Sequence, residues 1–243
     1  MIRKFLFSSV LVLALLFVLS AACSPGTHSP LTIETRKGVS GNEYVLYYKN
    51  AAKISFEITR PSKVDTSTLL CIPAAFTVLT DYSIDGLYIC KGKTGNKNKI
   101  NHTIGGAIKL VDGEITIFPS GNGKLLTETL IKTIEDQNGS LFQQIQMIEN
   151  GKTANFKDVK LFQRRGIVLF KNGRIAIAES KSAITLKVFA DDLSTMQAKD
   201  LLYTDMGSWD YGWYRDPENG KLIVIGHDHS QTDKQSNWVV FRK

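Results

Sequence analysis

Residues 167–178 read Ile-Val-Leu-Phe-Lys-Asn-Gly-Arg-Ile-Ala-Ile-Ala. Two apolar runs, Ile167–Phe170 and Arg174–Ala178, flank Asn172-Gly173. Asn-Gly readily supplies the positive φ angles that a tight hairpin demands, so the spacing predicts a two-residue hairpin between antiparallel strands. Asp112-Gly113 repeats the pattern between Ala107–Val111 and Glu114–Phe118. Asp85-Gly86 and Asn219-Gly220 read as turns that lead into strands.

Working outward, Glu43–Tyr48 and Lys53–Thr59 are short and rich in aromatic or β-branched residues. In the second, Ile54, Phe56 and Ile58 alternate with polar neighbours, the period of a half-buried strand. Leu69–Ile72, Leu87–Cys90, Lys221–Ile225 and Trp238–Phe241 complete the strands expected. Helices are few. Leu126, Leu130 and Ile134 share one helical face, and Asn138-Gly139 stops that segment. A second helix is expected over Thr185–Leu193. Many hairpin-linked strands with two helices predict one α+β domain built mainly on antiparallel β-sheet.

The N-terminus carries a different signal. Arg3 and Lys4 precede an apolar run, Phe5–Leu19, and the small residues Ser20, Ala21 and Ala22 lead into Cys23. This is the plan of a secretory signal peptide, and the run falls short of the ~20 apolar residues that span a bilayer. Small residues before a cysteine resemble the bacterial lipobox, although Leu19 stands one place further from Cys23 than is usual; cleavage after Ala22 is the rival reading. The expected organisation is a signal peptide over 1–22, a lipidated tether over 23–30 and a domain over 31–243. The protein is thus expected in the cell envelope, periplasmic or at the surface, anchored by the lipid on Cys23. Replacing Cys23 by Ser is expected to move the protein out of the membrane fraction; a variant that stays there defeats the assignment.

Without its first 22 residues the chain has about 220, enough for one large domain. A hydrophobic fraction of 43% supports a sizeable core. The formal net charge of +7 drops to +5 without Arg3 and Lys4. Its lysines are scattered through loops such as Lys91–Lys99, with no dense basic stripe, so a nucleic-acid partner is not expected. Cys71 and Cys90 either pair across adjacent strands or remain free thiols.

Chemistry-bearing residues concentrate in Leu201–Asp216. Asp205 follows an apolar strand-like piece, and Trp209, Asp210, Tyr211, Trp213, Tyr214 and Arg215 follow it. A carboxylate beside aromatics and an arginine suits a sugar, because rings pack on C–H faces while charged groups hold hydroxyls or phosphate. The competing reading is that the rings close a core edge and Asp205 sets a turn. Arg164 and Arg165 are a second candidate pair, since a guanidinium grips phosphate bidentately. His227-Asp228-His229 has metal-like alternation but no third ligand, so a loop is expected there, with no metal or cofactor. His102 receives no role. Phosphate-cradling glycine loops, Gly-x-Ser-x-Gly elbows and HExxH helices are absent from the sequence.

From about Leu69 onward the chain resembles the phosphodiester glycosidase family. Ile72-Pro73-Ala74-Ala75-Phe76 stands where that family has an Asn-Gly-Gly-Phe-Phe-like strand end. Asp85–Ile89 with Gly92 resembles the strand that follows. Arg164, Gly166-Ile167 and Asn172-Gly173-Arg174 resemble its Arg-Thr-Ala-Ile-Gly segment and hairpin. Thr185–Leu193 followed by Tyr203–Gly207 is similar to its helix and Asn-Leu-Asp-Gly-Gly motif. Pro73, Tyr203 and Met206 depart from the family residues. The resemblance implies hydrolysis of a sugar-1-phosphodiester in an envelope or extracellular glycan. Asp205 and Arg164 would then be catalytic, and Arg165, Trp209, Asp210, Tyr211, Trp213 and Arg215 would bind substrate. The alternative it leaves open is a non-catalytic glycan-binding lipoprotein on the same fold. A monomer contacting carbohydrate, and the membrane only through its anchor, is expected in either case.

Overall fold

The computed structural model describes residues 29–96 and 99–243. The signal peptide, Cys23 and all but the last two residues of the tether lie outside them. Strands are numbered along the chain. The first sheet runs β1 (Leu31–Lys37), β2 (Glu43–Lys49), β13 (Ile175–Ser180), β12 (Arg165–Phe170), β14 (Ala198–Tyr203), β10 (Gln146–Glu149) and β11 (Lys152–Thr153). The second runs β16 (Leu222–Ile225), β15 (Gly212–Arg215), β4 (Thr68–Pro73), β17 (Trp238–Arg242) and β3 (Lys53–Glu57). The third runs β6 (Lys93–Thr94), β5 (Tyr88–Cys90), β9 (Ser140–Gln144), β7 (Gly106–Val111) and β8 (Glu114–Pro119). Every pairing among these strands is antiparallel. With helices α1 (Glu128–Asp136) and α2 (Leu186–Thr195), this is a single α+β domain dominated by antiparallel sheet.

One core joins all three sheets: Ile167, Ile177 and Leu202 of the first meet Phe56, Ile72 and Phe241 of the second and Ile108 and Phe142 of the third. The opposite face of the first sheet is also covered. Val168, Ala176, Ala178 and Leu201 pack under Phe189, Ala190 and Leu193 of α2. Burial on both faces explains why β12 and β13 are almost continuously apolar rather than alternating. The small residues Ala176 and Ala178 face the helix and let it approach.

The helices start where side chains cap them. Thr127 accepts the Leu130 N–H, and Thr185 accepts the Val188 N–H. Leu126, expected inside the first helix, precedes its cap and clusters with Ile131, as a hydrophobic staple does. The Asp112-Gly113 turn is the expected two-residue hairpin, with φ of 51° and 81°. Asn172-Gly173 departs from expectation. The Phe170 N–H donates to the Arg174 carbonyl and the Gly173 N–H to the Phe170 carbonyl, so the loop has three residues, Lys171–Gly173. Of these only Gly173 has positive φ, the geometry of a type I turn closed by a glycine bulge. β1 has no clear signature in the sequence, because Glu34, Arg36 and Lys37 dilute its apolar pattern; such charge suits an edge strand. Among the described residues Cys71 and Cys90 form no disulfide, and their strands belong to different sheets, which excludes the adjacent-strand pairing considered above.

Candidate active site and ligand cleft

β14 carries the chain to Asp205. The Thr204 N–H donates to the Arg165 carbonyl and the Asp205 N–H to the Ala74 carbonyl. These bonds wedge the segment between the start of β12 and the end of β4. The Asp205 side chain is only 2% exposed. Burial pushes its carboxyl up to about 8, against the Thr77 N–H and hydroxyl, the Met206 N–H and the Trp209 indole, which pull it down. The Thr77 N–H lies 3.0 Å from Oδ2. At neutral pH this group is therefore largely protonated, in the state of a proton donor. The Ala74-Ala75 segment beneath it is clasped by Asn237, which accepts from the Ala75 N–H and donates to the Ala75 carbonyl.

Arg164 is 4% exposed and spends its donors on protein. Nε donates to the Ile184 carbonyl at 3.0 Å, Nη1 to the Tyr203 hydroxyl at 3.2 Å and Nη2 to the Lys160 carbonyl at 2.7 Å. Asp158 lies 3.4 Å from Nη2. Arg165 is fully buried. Its Nε donates to Glu179 at 2.6 Å and its Nη1 to the Asp210 carbonyl at 2.8 Å, while Nη2 has no partner among the described residues. Neither arginine is among the residues that line the cleft described below, and both direct their hydrogen bonds to protein groups.

The aromatic run is partly strand. Gly212–Arg215 forms β15, so its side chains alternate between faces. Trp213, 1% exposed, packs with Cys71, Trp238 and Val240 and offers no face to a ligand. Tyr214 takes the other side, 5.1 Å from the Tyr47 ring. Arg215 donates to the carbonyls of Thr68, Lys63, Asp65 and Gly220 and so ties strands and turns together. Trp209 is buried beside Asp205, edge-on to Tyr82. Tyr211 lies edge-on to His229 with Lys63 over its ring. The core-edge reading thus holds for Trp213, and Arg215 serves the fold.

Asp210 does shape a site. Its buried carboxylate accepts the N–H groups of His227 at 2.8 Å and Asp228 at 3.0 Å, fixing the loop after β16. Gly226 permits this approach: its φ is +96° and a Cβ there would fall 2.3 Å from the Asp210 carbonyl oxygen. The His227-Asp228-His229 motif is accordingly a loop, and no group of three metal-ligating side chains occurs among the described residues.

Beside this loop lies a cleft of about 560 Å³, within the ~300–1,000 Å³ usual for ligand sites. Leu161, Phe162, Gln163 and Ala183 line it together with Gly207, Ser208, Asp210, His227 and Asp228. Asp228 is ionised at neutral pH, since hydrogen bonds from Ser230 hold its carboxyl below the usual range. Of the residues expected to bind substrate, only Asp210 lines this cleft. Leu161 and Phe162 escape a reading of the sequence because they sit in a strandless stretch, where exposed apolar residues form no periodic pattern.

No family model matches the chain, and no curated protein does. Solved structures do. The catalytic domain of zebrafish N-acetylglucosamine-1-phosphodiester alpha-N-acetylglucosaminidase, auto-inhibited by pro-peptide, is 11% identical with a TM-score of 0.60; the match covers 91% of this chain and 86% of that one. A hypothetical protein from Synechocystis is 13% identical with a TM-score of 0.61, covering 88% of this chain and 62% of that one. At these identities the likeness is one of fold: the architecture resembles that of a phosphodiester glycosidase domain.

Proposed function

We propose that this chain is an exported lipoprotein of a bacterial envelope, anchored through Cys23, whose cleft binds a glycan. The observation that carries this reading is the mixed lining of the cleft. Leu161 and the half-exposed Phe162 supply apolar and aromatic surface, Ser208, His227 and Asp228 supply polar groups, and a sugar ring has C–H faces and a polar rim to match. The fold likeness to a glycosidase acting on a sugar phosphodiester supports a carbohydrate partner. No Lys or Arg lines the cleft, whereas Asp210 and Asp228 do. That charge favours a neutral sugar over a phosphate.

A second reading is favoured by Asp205. A carboxyl held protonated by burial, near the cleft loop, is equipped to protonate a leaving group during sugar-1-phosphodiester hydrolysis. It requires Asp205 to reach the scissile oxygen and Arg164 to give up part of its present bonding. Incubating the detergent-solubilised full chain with neutral oligosaccharides and sugar-1-phosphodiesters separates the two. Calorimetric binding of neutral sugars without product release supports the first. Released sugar, reduced by ~10²-fold or more in Asp205→Asn, establishes the second. Neither binding nor product defeats both.

A further inference from the structure

We infer that Phe162 is the platform on which the ligand's sugar ring lies, and that Arg164 acts as a positioning residue holding that platform in place. This rests on the glycan reading of the cleft.

Phe162 is 47% exposed, yet its backbone is pinned. Its N–H donates to the Ile184 carbonyl and its carbonyl accepts the Ile184 N–H, an isolated antiparallel bridge in an otherwise irregular segment. Arg164 reinforces the bridge from both sides of Phe162. Its Nε donates to that same Ile184 carbonyl, and its Nη2 grips the carbonyl of Lys160, two residues before the ring. The guanidinium carbon stands over the ring, 5.2 Å from its centroid. One side of the ring is therefore backed by a cation while the side chain remains on the cleft wall.

Leaving an aromatic ring half in water forfeits the free energy of burying it. Holding it rigidly there reduces the ordering cost when a ligand covers it. Ser208, His227 and Asp228 line the same cleft and offer groups to sugar hydroxyls. A pyranose fits this pairing of apolar platform and polar rim, and a bare phosphate does not. Arg164 thereby gains a role that differs from gripping phosphate: it acts on the ligand through Phe162.

The test uses the full chain in detergent and three neutral probes, chitotriose, maltotriose and mannotriose, with inorganic phosphate as the sugar-free control. Phe162→Ala is expected to weaken the tightest trisaccharide by ~3- to 10-fold, the worth of an aromatic contact, while Phe162→Trp retains affinity. The exposed site makes both variants compatible with an unchanged unfolding midpoint, which is measured alongside. Arg164→Lys should weaken sugar binding, and the Arg164→Lys/Phe162→Ala pair should be no weaker than Phe162→Ala alone, because one residue acts through the other. Phosphate binding should not respond to any of these changes. Trisaccharide binding that is indifferent to Phe162→Ala overturns the platform and leaves the glycan reading standing. Additive losses in the double variant overturn the role of Arg164. Absence of trisaccharide binding by the unaltered protein overturns the glycan reading and the platform together.

Discussion

Replacing Asp205 by Asn is expected to change the pH dependence of stability more than any other single substitution in this protein. The folded-state carboxyl titrates near 8 because it is buried, whereas an unfolded aspartate titrates near ~3.9. Below about pH 4 both states carry the proton and the group imposes no penalty. Between about 4 and 8 the unfolded chain releases the proton and the folded chain keeps it, so stability falls as pH rises, by up to ~1.4 kcal/mol per unit. Above about 8 the loss is complete and the curve levels, after a total of ~6 kcal/mol. The amide of the Asp205→Asn variant does not titrate, so this fall should vanish from its profile. Urea midpoints of the two proteins, compared at several values between pH 5 and 9, should converge or cross as pH rises. Parallel profiles would mean that Asp205 is ionised throughout. That outcome would also remove its fitness as a proton donor in the hydrolytic reading.

Removing Glu179 is the second large effect. Its Oε2 receives Arg165 Nε at 2.6 Å, and its Oε1 receives Gln163 Nε2 at 2.9 Å. The Arg165 side chain is fully buried and one of its terminal nitrogens already lacks a partner among the described residues. Glu179→Ala leaves that cation uncompensated in the interior, which typically costs ~3–5 kcal/mol. For a chain of this size the unfolding temperature should fall by roughly 10 °C. Glu179→Gln keeps an acceptor and should lose less. The paired change Arg165→Met/Glu179→Leu should recover most of the loss, because exchanging both partners for apolar groups of similar bulk leaves no buried charge. It also removes the Arg165 bond to the Asp210 carbonyl. A double variant that is stable but binds glycan poorly would show that the ion pair's contribution lies in placing the Asp210 loop. If Glu179→Ala unfolds at the same midpoint as the parent protein, the pair contributes nothing and the assignment of Arg165 as a structural cation falls.

Much of the fold was legible along the chain because its signals are local. Positive φ at Asp112-Gly113 and the alternation in Lys53–Glu57 act over two to four residues. β1 and the strands between Ser140 and Glu149 were not legible. Their charged or amide side chains, such as Gln143 and Gln144, are accommodated by specific long-range partners: Gln143 accepts the Leu87 N–H, and Gln144 donates to the Ala74 carbonyl. The site shows the same division. Asp205 stood out as a carboxylate after a strand, and Asp210 as one within the aromatic run that follows. The direction of Trp213 depends on which sheet face β15 presents to its neighbours, and that is fixed by pairing with β4, where Trp213 sits opposite Cys71.

The chain's own order of residues determined an α+β domain of hairpin-linked antiparallel strands, because turn chemistry and side-chain period are properties of neighbouring residues. Tertiary structure alone decided which chemistry meets. Asp205 meets Thr77 across 128 positions, Arg165 meets Asp210 across 45, and Phe162 meets Ile184 on a bridge that Arg164 completes. Burial pushed the Asp205 carboxyl up, took Trp213 out of reach, and left Phe162 lining the cleft. Solvent exclusion and sheet register act between segments far apart in sequence, so no local pattern in Leu201–Asp216 or around Arg164 carried that information.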